Sequence, residues 1–190
     1  MDLGHALRRL VHISAPLFLV YYFLPEEIQG VDKQLGLVVL LTVVLVFEAL
    51  RLKFHWDIIG YRDYEYGRIS APVWAAIGLT FTFLFFPLEL AAPAVIGMAL
   101  TDPLIGELRR RKSPLYPVLP TAFYLALVLG ILTLLMGLTW QTILASVVAT
   151  VLAISVERVR TKYVDDDFLM LVVPLVGMAA VLYLTASFPS

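Results

Sequence analysis

Seven apolar runs, separated by short charged stretches, constrain this chain more than any other feature of its sequence. They lie at Leu10–Leu24, Leu35–Leu50, Ile69–Phe86, Leu90–Thr101, Val118–Leu138, Thr139–Val156 and Phe168–Phe188. Crossing the hydrocarbon core of a bilayer takes a helix of ~20 mostly apolar residues, with a range of about 17–25. The first and fourth runs fall short, so they must borrow flanking residues, sit where the bilayer is thin, or re-enter. The expected fold class is all-α: a polytopic transmembrane bundle of about seven helices, one integral membrane domain over residues 1–190. Pro87-Leu88-Glu89 and Gly137-Leu138-Thr139 leave room only for tight turns, and each predicts a helical hairpin. Pro16, Pro72, Pro93, Pro120 and Pro174 fall within or near the ends of spans. There the freed carbonyls must be satisfied by neighbouring helices or water.

Composition closes off the soluble alternative. Of 190 residues, 61% are hydrophobic and only 15% charged, with a mean hydropathy of +0.89, whereas a soluble domain runs near 25% charged. A small globule needs a polar surface; a bundle surrounded by lipid does not. The formal net charge of −1 argues against a nucleic-acid partner, and the absence of Cys removes disulfides, thiolate catalysis and Cys-ligated zinc. Arg8 and Arg9 precede an apolar run as in a secretory signal, but no small-residue cleavage site follows Leu24, so the run is expected to be a retained first helix.

Orientation follows from the basic residues. With the N-terminus cytoplasmic, the inner segments hold Arg8, Arg9, Arg51, Lys53, Arg62, Arg68, Arg109, Arg110, Arg111, Lys112, Arg158, Arg160 and Lys162. Of the 14 Lys and Arg, only Lys33 then lies outside. A wrong helix count would scramble this partition. Most acids fall on the same inner face, several at helix ends, where a carboxylate near hydrocarbon is costly unless paired or bound to a cation. Interleaved carboxylates and guanidinium groups suit a polyphosphate carried with Mg²⁺. They also suit ordinary loops whose acids pair with their bases, and the charge pattern alone favours that plainer account.

Three constellations sharpen the choice. Glu48 and Arg51 are three apart at the end of the second run and share a helix face, as do Arg62 and Glu65 if their loop is helical. Either each couple pairs internally, or the arginines face phosphate while the carboxylates orient them. Next, Asp102 ends the fourth run. Pro103 drives it toward an extended backbone that would aim the carboxylate out of the helix end, with Gly106 and the basic run Arg109–Lys112 following. Capping the next helix is the competing role, and a capping Asp keeps lone pairs for a metal. Finally, Glu157 and Arg160 repeat the spacing of Glu48 and Arg51, ahead of Asp165, Asp166 and Asp167. Three adjacent carboxylates need a cation, basic neighbours or solvation, and gain from a helix dipole if they open the last helix. His12, one turn into the first span, is an intramembrane ionisable group and so a functional candidate; a hydrogen-bonded bundle histidine is the competing reading. With three His and no Cys, a zinc site is not expected. No P-loop, dinucleotide glycine fingerprint or nucleophile elbow is present.

These residues resemble those of the small membrane polyprenol kinases, the family of dolichol kinase and phytol kinase, which is related to the CDP-diacylglycerol synthases. The resemblance rests on Arg9-Leu10-Val11-His12-Ile13, on Glu48-x-x-Arg51, and on Tyr61-Arg62-Asp63-Tyr64-Glu65-Tyr66-Gly67-Arg68-Ile69-Ser70. It rests further on Asp102 with Gly106, and on Glu157 followed by Val164-Asp165-Asp166. Departures are Pro103, Leu104 and Ile105, where the family has small residues and a second glycine, and Asp167, where it has Asn.

The resemblance implies a CTP-dependent kinase that passes the γ-phosphate to a long isoprenoid alcohol at the cytoplasmic leaflet, with Mg²⁺ as cofactor. Asp102, Asp165, Asp166 and Asp167 are then the expected metal ligands, and Arg51, Arg62, Arg109, Arg110 and Lys112 the phosphate-binding groups. Asp102, Asp166 and Glu65 are the expected catalytic carboxylates, the last two as candidates to accept the alcohol proton. Glu48, Glu157, Arg160 and His12 are supporting. Expected partners are CTP or another nucleoside triphosphate, the alcohol and membrane lipid, with a homodimer left open. Cytidylyl transfer to a lipid phosphate is the first alternative. A non-enzymatic membrane protein or transporter is the second, although transporters place ionisable groups near mid-membrane and here they crowd at helix ends.

Overall fold

The computed structural model describes residues 10, 12–56, 58, 67–157 and 164–186. Among them are seven helices: α1 (Ala15–Phe23, wound as a 3₁₀ helix), α2 (Lys33–Phe54), α3 (Ala71–Phe85), α4 (Leu88–Arg110), α5 (Val118–Met136), α6 (Trp140–Val156) and α7 (Asp166–Ala186). Four of them, α2, α4, α5 and α7, are long and apolar enough to cross a membrane, while α1, α3 and α6 are shorter apolar helices. Among the described residues the regular structure is helical apart from one hairpin between Glu27–Ile28 and Val31–Asp32. Gln29 and Gly30 turn it with φ of 53° and 79°, the paired positive angles that suit a two-residue hairpin loop.

Helix ends follow local chemistry. Asp32 caps α2 by accepting from the backbone N–H of Gln34 and Leu35, and Thr139 and Thr142 cap α6 reciprocally. Pro72 sits in the first turn of α3, where its missing N–H costs nothing. Of the two expected tight turns, the first is confined to Phe86-Pro87, since Leu88 and Glu89 already belong to α4, and the second is present at Gly137-Leu138-Thr139. The first does not make a closely packed hairpin, however, because α3 lies chiefly against α7 and α2.

The core runs along α4, α6 and α7. Ala91, Ala94, Val95 and Ala99 of α4, Ala145, Ala149 and Ala153 of α6, and Met170, Leu171, Leu175 and Met178 of α7 are all buried. Small residues on one helix against larger ones on the next let backbones approach, which is how helices associate where lipid competes for every apolar contact. Gly97 shows how close: a Cβ there would lie 2.9 Å from the Tyr124 ring of α5. A Cβ at Gly177 would overlap Leu152. By contrast α2 exposes Leu35, Val39, Leu40, Val43, Val46 and Phe54, a surface suited to lipid.

One expectation is corrected. Asp102 does not end a helix: α4 continues through Pro103 to Arg110. Proline removes one backbone donor and so frees the Ala99 carbonyl, but this does not stop a helix whose other turns are held by packing on α5 and α7. Asp102 is therefore a side chain on a helix wall, and Gly106 and Arg109 lie on the same rod.

Candidate functional site

Up-and-down connections bring the C-terminal ends of α2, α4 and α6 together with the N-terminal ends of α1, α3, α5 and α7. The opposite end is closed by Tyr22, whose hydroxyl donates to the Phe86 carbonyl at 2.7 Å, and by Tyr21 stacked on Phe83. Almost all the chemistry sits at the first end.

Three helices meet there around one imidazole. His12, just ahead of α1, places Nε2 3.5 Å from Asp102 Oδ2 of α4 and 3.3 Å from Asp167 Oδ1 of α7. The His12 side chain is 12% exposed, Asp102 29% and Asp167 14%. Nε2 itself is buried, with these two carboxylates as its near neighbours. Asp165 stands at the start of α7, accepting from the Asp167 backbone N–H at 3.2 Å. Burial, followed by the neighbouring Asp167 and Asp166 carboxylates, pushes its carboxyl up to about 7. Two sets of ligand atoms, His12–Asp102–Asp167 and Asp165–Asp166–Asp167, each lie within 4.8 Å of one another. Carboxylate oxygens with one imidazole nitrogen, half-buried and crowded with negative charge, are a donor set that fits a divalent cation.

Beside this cluster Glu157, buried at the end of α6, receives the Arg109 guanidinium of α4 at 2.5 Å. The same Nη2 donates to the Tyr116 hydroxyl at 3.2 Å, and the guanidinium lies over the Tyr116 ring at 5.2 Å. Arg109 remains 36% exposed, so a buried acid and an aromatic ring steady a cation that still reaches solvent. Neither partner was apparent from spacing, since Glu157 is 48 residues from Arg109 and Tyr116 lies in the turn before α5.

Glu48 and Arg51 behave differently. Arg51 Nε and Nη2 donate to Glu48 Oε2 and Oε1, each at 2.8 Å. Glu48 also accepts from the Ser70 backbone N–H at 2.7 Å, and Arg51 donates to the Arg68 carbonyl at 2.8 Å. Both side chains are buried. The internal pairing of the couple is thus present, and it clamps the chain entering α3. Arg51 is turned inward to this clamp.

The remaining candidates divide. Arg110 and Arg111 both reach Glu107, and Lys112 is exposed at φ 48°. Asp166 opens α7 next to Asp165 and Asp167. Arg62, Glu65 and Arg160 lie outside the described residues. Comparison with protein-family models, with curated proteins and with solved structures returns no match.

Proposed function

We propose that this chain is a multi-pass membrane phosphotransferase, with seven spans and a cytoplasmic N-terminus. It moves the γ-phosphoryl group of CTP to the hydroxyl of a long-chain isoprenoid alcohol at the cytoplasmic face. The observation that carries the reading is the convergence of His12, Asp102 and Asp165–Asp167 at one bundle end, beside an anchored, half-exposed Arg109. The order and spacing of the residues that resemble the polyprenol kinases support it.

Asp102 with Asp165, Asp166 and Asp167 would hold Mg²⁺, which, when bound, neutralises triphosphate charge and orients the γ-phosphorus. Arg109, fixed by Glu157 and Tyr116, contacts phosphate oxygens and stabilises the charge that builds up during transfer. Arg62, Arg110 and Lys112 supply further positive charge around the nucleotide. Glu65 or Asp166 accepts the alcohol proton as the alcohol oxygen bonds to the γ-phosphorus and the bond to the leaving CDP breaks. Glu48 and Arg51 act at one remove, holding the segment that enters α3. The alcohol's tail lies along the apolar helix surfaces, where lipid would otherwise sit.

The test uses purified protein, Mg²⁺, mixed isoprenoid alcohols and their phosphates, and CTP labelled at the α or the γ phosphate. Label in lipid from the γ position only is expected. Label from the α position only would replace the kinase reading with cytidylyl transfer. No transfer from CTP or ATP would overturn both.

A further inference from the structure

Two hydroxyls inside the bundle lack what their neighbours have. Among the described residues, the Thr101 and Tyr124 hydroxyls are shut off from solvent and make no hydrogen bond, and both side chains are fully buried. Buried hydroxyls on other helices are satisfied locally. Thr82, Ser146 and Thr150 each donate to the carbonyl four residues back, at 2.8, 2.7 and 2.7 Å. The Gly97 carbonyl stands in that relation to Thr101, yet Thr101 leaves it.

The two groups border one stretch of α4. Gly97 and Thr101, four apart, share a face of that helix. The Tyr124 ring of α5 lies on this face with its hydroxyl end foremost: a Cβ at Gly97 would stand 2.9 Å from Cε2 and 3.2 Å from Cζ, the carbon that carries the hydroxyl. Two explanations compete. As mere packing atoms the hydroxyls are costly, since Phe and Val fill nearly the same space without stranding a polar atom. As donors and acceptors they suit one kind of guest. Each is uncharged and can both give and take a hydrogen bond. Tyr124 belongs to a core cluster with Val95, Met98, Ala99 and Val128, where an ion would lack a counter-charge. A neutral hydroxyl fits, and its two sources in a bilayer are water and the terminus of a lipid alcohol. Thr101 also precedes Asp102 directly, so α4 sets the hydroxyl pair and the acidic cluster at nearly the same depth, on adjoining faces.

We propose that Thr101 and Tyr124 form a site for one neutral hydroxyl group at the α4–α5 seam, taken from a lipid alcohol or from water. This deepens the phosphotransferase reading and rests on it for the use of the alcohol, whose acceptor oxygen the pair would hold one α4 residue from Asp102. The binding claim itself rests on the two side chains.

Geranylgeraniol is the probe, with its methyl ether and the oxygen-free hydrocarbon as controls. The thermal midpoint of full-length protein in detergent micelles is recorded with each, for wild type, Tyr124→Phe, Thr101→Val and the double variant. Both substitutions nearly keep the volume, and helical circular dichroism checks that the variants fold. The alcohol is expected to raise the wild-type midpoint by several degrees, the ether less and the hydrocarbon not at all, and each variant to lose the rise. Without alcohol, the variants should then be at least as stable as wild type, because they shed a stranded hydroxyl. A resident water is identified instead if no protein responds to the alcohol, each single variant is less stable than wild type, and the double variant loses no more than one single, since one molecule bridges both groups. A rise equal in wild type and variants overturns the proposal. So does the absence of an alcohol-specific rise in wild type, a comparison that needs no variant, when the single variants are as stable as wild type or their losses add. An alcohol-specific rise without label transfer would leave this site standing and remove the reading above. Label transfer with none of these effects would do the reverse.

Discussion

At one end of the bundle, Glu48 and Arg51 bury a matched ion pair whose donors and acceptors also clamp two backbone groups. A few helices away, His12, Asp102 and Asp165–Asp167 gather several carboxylates around one imidazole, two of them at 3.3 and 3.5 Å from its Nε2. The first region is satisfied by the chain itself. Among the described residues, the second sets several carboxylates close together around a single imidazole. Charge and burial are common to both, so neither alone marks a site. What separates them is the matching: one acid against one guanidinium in the first, several acids against one imidazole in the second. The Arg109–Glu157 pair stands between the two: the acid is buried and matched, but the cation remains partly open to solvent.

The sharpest way to break this contrast is to damage the clamp. Glu48→Gln strands Arg51 in a buried setting and should lower stability by about 3–5 kcal/mol, measured by unfolding in mixed micelles. A loss under 1 kcal/mol would mean that the pair is not a scaffold. Overpacking is the next largest effect. Gly177→Leu drives a side chain into Leu152 and should destabilise the α6–α7 contact by about 1–3 kcal/mol, seen as earlier proteolysis of the C-terminal helices.

The acidic cluster should respond in the opposite sense. Asp165 titrates near 7 in the fold but near 3.9 when unfolded, so the native state holds the extra proton between those values. The contribution of Asp165 to stability in chelator should therefore fall as pH rises from about 4 to about 7. Saturating divalent cation should flatten the fall, and Asp165→Asn should reduce it without cation. A midpoint that instead rises over that interval in chelator would contradict the raised carboxyl. The smallest effect is expected from Asp166→Asn, within about 0.5 kcal/mol in chelator, which differential scanning in matched detergent would resolve.

The sequence made the two regions legible to different depths. Apolar run lengths and turn residues marked all seven helical segments, because lipid-facing helices declare themselves by composition. Glu48 and Arg51 could be paired in advance because three-residue spacing is a within-helix relation. Ser70, which Glu48 also holds, lies 22 residues away and could not. The same limit hid the junction of His12 with Asp102 and Asp167, and that of Arg109 with Glu157. Each joins separate helices whose relative rotation is set by packing at Ala and Gly positions. Pro103 misled for a related reason: its local preference for a helix break is real, but the packing of α4 on α5 and α7 overrides it.

The central claim is that, at one end of the bundle, the His12–Asp102–Asp167 group holds a cation while the Glu48–Arg51 pair holds the chain. Its most direct test is the thermal midpoint of stripped protein with and without saturating divalent cation, compared between wild type and Asp102→Asn/Asp167→Asn. The account predicts a clear upward shift for wild type, and almost none for the double variant, which should itself be at least as stable as wild type in chelator. Equal shifts in both proteins, or no shift in wild type, would contradict it.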